Sequence, residues 1–357
     1  MNERNETVQT GRAKSEGSFS LPKLLSVSPS PHMCCLDTTR SVMLDVIIAL
    51  APAFIMSFVL FGPRALLLTA ISVASCVLFE YFSRKIFKRS NTTGDLSAVV
   101  TGLLLAFNLP VTLPWWMVII GAFVAIVVVK QFFGGIGQNF VNPALVGRIT
   151  LMISFPGEMS NWIEPFKWSG AGAVDAVSSA TPLKALESGG IPSIPEMLAG
   201  NLPETDIVSM LLGIRPGCLG ETCIVALLAG FIYLVVCKVI SPVIPLVFMG
   251  TTVGVCWIAG LNPIYTLLSG GLVLGAVFMA TDYTTSPINF KGKIIYAIGC
   301  GLITALIRLY ANLPEGVSFA IIIMNILVPH IENLTTPKPF GYIKPKKVKN
   351  ESEGSKA

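Results

Sequence analysis

Two long stretches of this chain carry no charge. Residues 239–281 contain no Asp, Glu, Lys or Arg, and neither do residues 96–129. A helical pass through a bilayer needs roughly 20 apolar residues, so each stretch is long enough for two. Charged residues make up 13 % of the chain and hydrophobic ones 53 %, and mean hydropathy is +0.72. A soluble domain carries about 25 % charge. With half that, a soluble globule has too little polar surface, and so apolar a chain does not stay disordered. The alternating segments of about ten residues that mark a membrane β-barrel are absent. The chain is expected to be an all-α polytopic membrane protein that has the lipid bilayer as its main surroundings and binds no nucleic acid.

Ten spans are expected, at roughly 42–61, 64–82, 96–110, 115–131, 140–156, 219–238, 243–260, 263–281, 294–311 and 316–332. The third is short and closed by Pro110 and Pro114, so it reads as a broken or tilted helix. Residues 1–30 are polar and lack an apolar signal region, which leaves insertion to the first span. With the N-terminus in the cytoplasm, nineteen of the 25 basic residues, Arg84 and Lys130 among them, fall on the inner side. Four (Arg64, Lys167, Lys184 and Arg215) fall outside, while Arg148 and Arg308 lie within spans. This excess obeys the positive-inside rule. It places both termini in the cytoplasm and the longest connection outside. The expected organisation is an N-terminal tail (1–40), a five-helix repeat (41–156), an extracytoplasmic loop (157–218), a second five-helix repeat (219–332) and a basic tail (333–357).

The segment VTGLLLA (100–106) weakly resembles LSGGLVL (268–274), and each precedes an irregular stretch. A unit of five spans repeated once must be inverted, and interrupted helices at matching places in inverted repeats mark transporter binding sites. Small residues that let helices pack closely explain the likeness equally well. The eight cysteines show no CxxC or CxxxC spacing, and five of them lie inside apolar runs. No metal or iron–sulfur site of this chain's own is expected. Asp45, Arg148 and Arg308 are functional candidates because ionisable groups at membrane depth are costly.

Three stretches are too polar for plain spans. KQFFGGIGQNFVNPALVGR (130–148) offers the amides of Asn139 and Asn142, with an Asn helix cap as the plain alternative. VDAVSSATPL (174–183) is a cluster of hydroxyls, equally readable as a polar turn. GIRPGCLGET (213–222) joins Arg215 to backbone freed by Gly217 and Gly220. Amides beside an Arg suit an anion, and a helix start with Glu221 in its first turn explains the same residues.

Together with FMATDYTTSP and EGVSFAIIIMNILVP, these motifs resemble, in order, the NqrB/RnfD family, which the Rnf complex shares with the sodium-pumping NADH:quinone oxidoreductase. The likeness runs from about Ser28 to about Gly341, and the short N-terminal tail favours the Rnf branch. The resemblance implies FMN bound through a phosphoester to Thr181, which closes the family's attachment motif after Asp175, Ser178, Ser179 and Ala180. Ser179 stands where the family usually has glycine. A flavin transferase acting on the exported side would attach the group. Arg215, Gly217, Gly220, Glu221 and Thr222 become candidates for surrounding the FMN, and Asn139 and Asn142 for a noncovalent riboflavin.

The resemblance further implies a membrane flavoprotein in a complex with the A, B, C, E and G subunits of the Rnf assembly. Such complexes move electrons between ferredoxin and NAD, coupled to Na⁺ or H⁺ translocation. A component of the quinone-reducing complex and a flavin-free transporter of the same architecture are the alternatives. Residues 133–148 and 280–288 are expected to meet at the inner side and to border a second flavin or an ion path.

Overall fold

The computed structural model describes residues 38–90, 92–163, 165–166, 207–311 and 316–337. Thr181 and its motif partners Asp175, Ser178, Ser179 and Ala180 lie outside these residues, as do most of the two expected tails.

Every regular element among the described residues is helical. The first half holds α1 (Thr39–Phe61), α2 (Pro63–Ile86), α3 (Ser97–Phe107), α4 (Trp115–Phe123) and α5 (Pro143–Ser154). A π-helical stretch, Val124–Gln131, continues α4. After the short α6 (Pro156–Met159) and α7 (Ile207–Leu212), the second half holds α8 (Ile224–Val236), α9 (Val243–Ile258), α10 (Pro263–Leu268), α11 (Leu272–Leu274), α12 (Phe290–Tyr310) and α13 (Gly316–Thr335). A second π-helical stretch, Gly275–Met279, follows α11 directly. Helices α1, α2, α12 and α13 are each long and apolar enough to cross a membrane, and shorter apolar helices fill the spaces between them. The chain is a multi-pass membrane protein.

The two halves repeat their neighbours. Helix α2 packs on α3 and α4, and α4 packs on α5. In the second half α9 packs on α10 and α12, and α12 packs on α13. The first helices of the halves, α1 and α8, pack on each other.

Several elements are only half a span long. At 1.5 Å per residue, the 11-residue α3 rises only about 16 Å, roughly half the hydrocarbon thickness. Helix α3 is short but unbroken; the interruption falls in the eighth expected span instead. There α10 ends at Leu268, Gly270 adopts a φ of 64°, and the chain restarts at Leu272. The likeness between 100–106 and 268–274 therefore covers two different uses of glycine. Gly102 is a packing contact: a Cβ there would lie 2.8 Å from the Val73 Cα, and its carbonyl accepts from the Ser72 hydroxyl at 2.7 Å. Gly270 is the hinge of a broken helix, where a left-handed φ favours glycine.

Asn-Pro pairs open α5 and α10 alike. Asn142 Oδ1 accepts from the Ala144 N–H at 3.0 Å, with Pro143 at the first helical position. Asn262 Oδ1 accepts from the Ile264 N–H at 3.1 Å, with Pro263 in the same place. Each side chain satisfies one of the donors a helix start leaves open, and proline loses nothing there because it has no N–H to satisfy.

Candidate functional site

Two polar regions are built into this apolar bundle. The first is a cleft bordered by both π-helical stretches: Lys130 comes from the end of the first, Val277 and Phe278 from the second. It leaves about 100 Å³ of room for water-sized groups, within about 770 Å³ of atom-free space that includes open solvent. π-Helical turns are rare and concentrate at functional sites.

One wall carries a buried ion pair. Glu80, on the last turns of α2, is fully buried. Lys130 Nζ lies 3.0 Å from Glu80 Oε2 and donates to Ser97 Oγ at 2.7 Å. Gln131 Nε2 donates to Glu80 Oε1 at 3.1 Å, and Thr92 Oγ1 donates to the same oxygen at 3.4 Å. Gln131 Oε1 is buried with no partner among the described residues. Lys130 and Arg84 are 3 % and 7 % exposed, so both charges are buried within the chain.

The opposite wall joins the two stretches expected to meet. Asn139 Nδ2 donates to Thr284 Oγ1 at 3.1 Å, and Thr284 Oγ1 donates to Asp282 Oδ2 at 3.1 Å. Asp282 also accepts from the Thr284 N–H at 3.3 Å and from Thr285 Oγ1 at 3.3 Å. Burial raises the Asp282 carboxyl above its ordinary value, opposed by these hydrogen bonds and by the charge of Lys130. Asn142 caps α5 and also donates through Nδ2 to the Met279 carbonyl at 3.4 Å, closing the second π stretch onto α5. Asn325 of α13 joins this wall, its amide oxygen 3.3 Å from the Asn142 N–H and its nitrogen 3.2 Å from the Thr285 carbonyl. The cleft thus gathers an acid with hydroxyl partners, two amides and a lysine beside an apolar floor, with Glu80 behind the lysine.

The second polar region is a junction where short helices end. Helix α3 stops at Phe107, and its last carbonyls need donors. The 218–220 stretch supplies them: the Gly220 N–H donates to the Phe107 carbonyl at 3.0 Å, and the Leu219 N–H to that of Leu109 at 3.1 Å. Cys218 Sγ reaches the Asn108 carbonyl at 3.3 Å. Gly220 lies so close to Phe107 that a Cβ would sit 2.3 Å from that side chain.

The carbonyls at the end of α10 are met by arginines. Arg308 donates to the Thr266 carbonyl at 2.7 Å and to that of Ser269 at 3.1 Å. Arg215 donates to the carbonyls of Leu268 and Glu221, and is 3 % exposed. Burial pushes its guanidinium below the ordinary value, with Glu221 opposing. Glu221 Oε1 in turn accepts from the Cys218 N–H at 3.1 Å. Arg148 Nη1 donates to Asn108 Oδ1 at 2.9 Å and to Ser318 Oγ at 3.0 Å.

The stretch read as an anion cradle therefore has its donors in use. The amides at 218–220 and the Arg215 guanidinium are held by this chain's own acceptors. Gly217 stands close to the Glu221 and Thr222 side chains, and Thr222 is buried. Asp45 is engaged elsewhere, accepting from the Tyr233 hydroxyl at 3.1 Å. Among the described residues no cluster of His, Cys, Asp and Glu is arranged to hold a metal.

Residues 26–341 match the model of the NQR2, RnfD, RnfE family. The chain is 46 % identical over 323 residues to the D subunit of the Na(+)-translocating ferredoxin:NAD(+) oxidoreductase complex of Acetobacterium woodii, covering 90 % of this chain and 97 % of that protein. It is 40 % identical over 325 residues to the D subunit of the proton-translocating ferredoxin:NAD(+) oxidoreductase complex of Clostridium ljungdahlii, covering 89 % and 96 %. It is 33 % identical over 355 residues to the D subunit of the ion-translocating oxidoreductase complex of Escherichia coli, covering 89 % and 99 %.

Proposed function

The chain belongs to the NQR2, RnfD, RnfE family, and from that premise we propose that it is the membrane flavoprotein of an Rnf-type complex moving electrons between ferredoxin and NAD. The transfer is coupled to translocation of Na⁺ or H⁺, the ions named for its two relatives. In this reading Thr181 carries FMN through a phosphoester in an extracytoplasmic loop, attached by a flavin transferase. Both termini are cytoplasmic, the two five-helix halves are inverted with respect to each other, and the A, B, C, E and G subunits complete the electron route.

The observation that carries the proposal is the cleft where 130–148 and 280–288 converge between two π-helical stretches. Its Asn139, Asn142, Thr284 and Lys130 suit the heteroatoms of a noncovalent flavin, riboflavin by the family resemblance. The room for water-sized groups is about 100 Å³, below the roughly 300–1,000 Å³ of common ligand pockets, so a three-ring flavin would have to extend through the open mouth of the cleft. A flavin would supply one- and two-electron redox chemistry. This chain's residues would orient it, exclude water from its apolar side and hold protonatable groups beside it. Glu80, Lys130 and Asp282 are the charges placed to respond to electron arrival at the cleft.

The covalent site is read at Thr181 from the family resemblance, without an Arg215 clamp, because Arg215 already serves two carbonyls. The test is the intact mass of the protein purified from its own host. One FMN minus water should be added to the sequence mass, and Thr181→Ala should remove both the increment and in-gel flavin fluorescence while the chain still inserts. An unmodified wild-type mass discards the covalent assignment.

A further inference from the structure

A second opening lies beside the cleft, among the turn from α8 to α9, the loop after Met279 and the first turn of α12. Its volume is about 390 Å³, and Lys238, Ser241, Pro242, Tyr283, Ser286 and Lys293 line it. Three helix ends surround it: α8 stops at Val236, α9 starts at Val243 and α12 starts at Phe290. The groove therefore sits where the apolar helices give way to polar loops.

Its charge is one-sided. Among the described residues the one ion pair joins Lys130 to Glu80, and neither Lys238 nor Lys293 has a side-chain hydrogen bond there. The neighbouring acids have other partners: Asp282 accepts from Thr284 and Thr285, Asp45 accepts from Tyr233, and Glu332 accepts from the Ile288 N–H at 3.1 Å. The Tyr283 hydroxyl donates to the Val239 carbonyl, pinning the two loops that form the walls. Lys238 stands just past the end of α8 with a φ of 58°. Its N–H returns to the Val235 carbonyl at 3.0 Å, and that of Val239 to Leu234 at 2.9 Å. This is the helix-ending slot that glycine usually fills, and here it holds a long cation directed by the turn.

Exposed apolar side chains flank the groove's lining residues in sequence. Val236 is 74 % exposed, Ile288 80 % and Phe290 64 %, all within a few residues of the lysines. Two ammonium groups and two hydroxyls, from Ser241 and Ser286, suit a phosphodiester, and the bare apolar rim suits acyl chains rather than water. Basic pockets at the ends of membrane helices recruit anionic headgroups in this way.

We propose that this groove binds an anionic phospholipid, with Lys238 and Lys293 on its phosphate and the rim at Val236, Ile288 and Phe290 against its acyl chains. The bound lipid ties the start of α12 to the end of α8 and so braces the loop that carries Asp282 and Thr284. The site does not depend on the flavin assignments.

The test uses the full chain in neutral detergent, with the double variant Lys238→Gly, Lys293→Gln as comparison. Glycine accepts the left-handed slot, so the turn is kept. Phosphatidylglycerol should raise the unfolding temperature of the wild type and remain bound in native mass spectra, about one molecule per chain. Phosphatidylcholine and inorganic phosphate should do neither. In the double variant the phosphatidylglycerol affinity should fall about tenfold or more, the loss expected for charge-assisted bonds. An unchanged lipid response in that variant overturns the proposal. So does a response to inorganic phosphate alone, which makes the groove a free-anion site, and so does an assembled complex in which a neighbouring protein fills the groove and no phospholipid is found.

Discussion

The cleft and the junction are both buried, polar and made from residues far apart in sequence, yet they satisfy charge in opposite ways. At the junction the arginines meet backbone carbonyls: Arg308 serves Thr266 and Ser269, and Arg215 serves Leu268 and Glu221. These are carbonyls that a broken helix exposes, and irregular backbone at membrane depth survives only where protein satisfies it. In the cleft, Lys130 meets an acid, Glu80, beside open space and a second acid that forms no ion pair among the described residues. Buried charge pairs are weak stabilisers, since desolvation offsets most of the attraction. A bundle that needed only stability would do as well with apolar side chains there. On this contrast the junction serves architecture, and the cleft is where the proposed function would sit.

The largest effect should come from splitting the Glu80–Lys130 pair. Glu80→Gln or Lys130→Met alone strands a buried charge and should cost about 3–5 kcal/mol, read as a lower unfolding midpoint in detergent. The double variant removes both charges and should regain much of that stability. Ion-coupled electron transfer should stay lost in the double variant. If transfer returns with stability, the pair is architectural like the junction and the contrast fails.

Next in size is Arg308→Met, which strands two carbonyls at the end of α10. An unmet buried acceptor costs about 1–3 kcal/mol, so a loss of roughly 2–3 kcal/mol is expected after relaxation. Arg308→Lys should recover less than half, because an ammonium lacks the planar fork that reaches both oxygens. Flavin content per folded chain should not change in either variant. A selective loss of flavin would move Arg308 from the junction to the site.

What the sequence discloses follows from how local each signal is. The charge-free runs locate the helices to within a few residues because each run reports its own burial. The convergence of 133–148 with 280–288 is legible as well, since Gly, Asn, Thr and Pro crowd positions where a plain helix would not hold. The pairing of Glu80 with Lys130 joins positions far apart in the chain, and Lys130, the one charge in its stretch, reads from sequence only as an inner-side cation. A signal was present: Glu80 is the one acid in its apolar run, and an acid at that depth requires a partner. GCLGET reads as an anion nest because exposed amides and capped carbonyls look alike in sequence. Its real acceptors, on Phe107, Asn108 and Leu109, appear only once α3 is known to stop halfway. The Thr181 motif remains a proposal resting on its resemblance.

A smaller effect is expected at Asn142, which belongs to both roles at once. Asn142→Leu removes the α5 cap and the bond to the Met279 carbonyl. Loss of an Asn cap costs about 1 kcal/mol, and noncovalent riboflavin in the purified complex should fall while the Thr181 flavin stays. Asn142→Asp keeps a capping oxygen but loses the Nδ2 donor, so it should restore most of the stability without restoring riboflavin. Normal riboflavin in both variants would reduce Asn142 to a helix cap.

The smallest effect should be the pH response of Asp282. Burial raises its carboxyl above the ordinary 3.8, so the folded chain holds this proton more tightly than the unfolded chain does. Its stabilising contribution is then complete below the ordinary value and is lost as pH rises through the raised one. Unfolding temperatures measured from about pH 4 to about pH 8 should show the wild type losing stability relative to Asp282→Asn across that rise, with a constant difference above it. The junction offers a control, since Arg308→Met removes no carboxyl and should shift the whole curve without bending it. A wild type and Asp282→Asn that run parallel throughout would mean that Asp282 keeps its ordinary affinity for protons. The cleft would then hold no acid poised to exchange one, and its separation from the junction would rest on the Glu80–Lys130 pair alone.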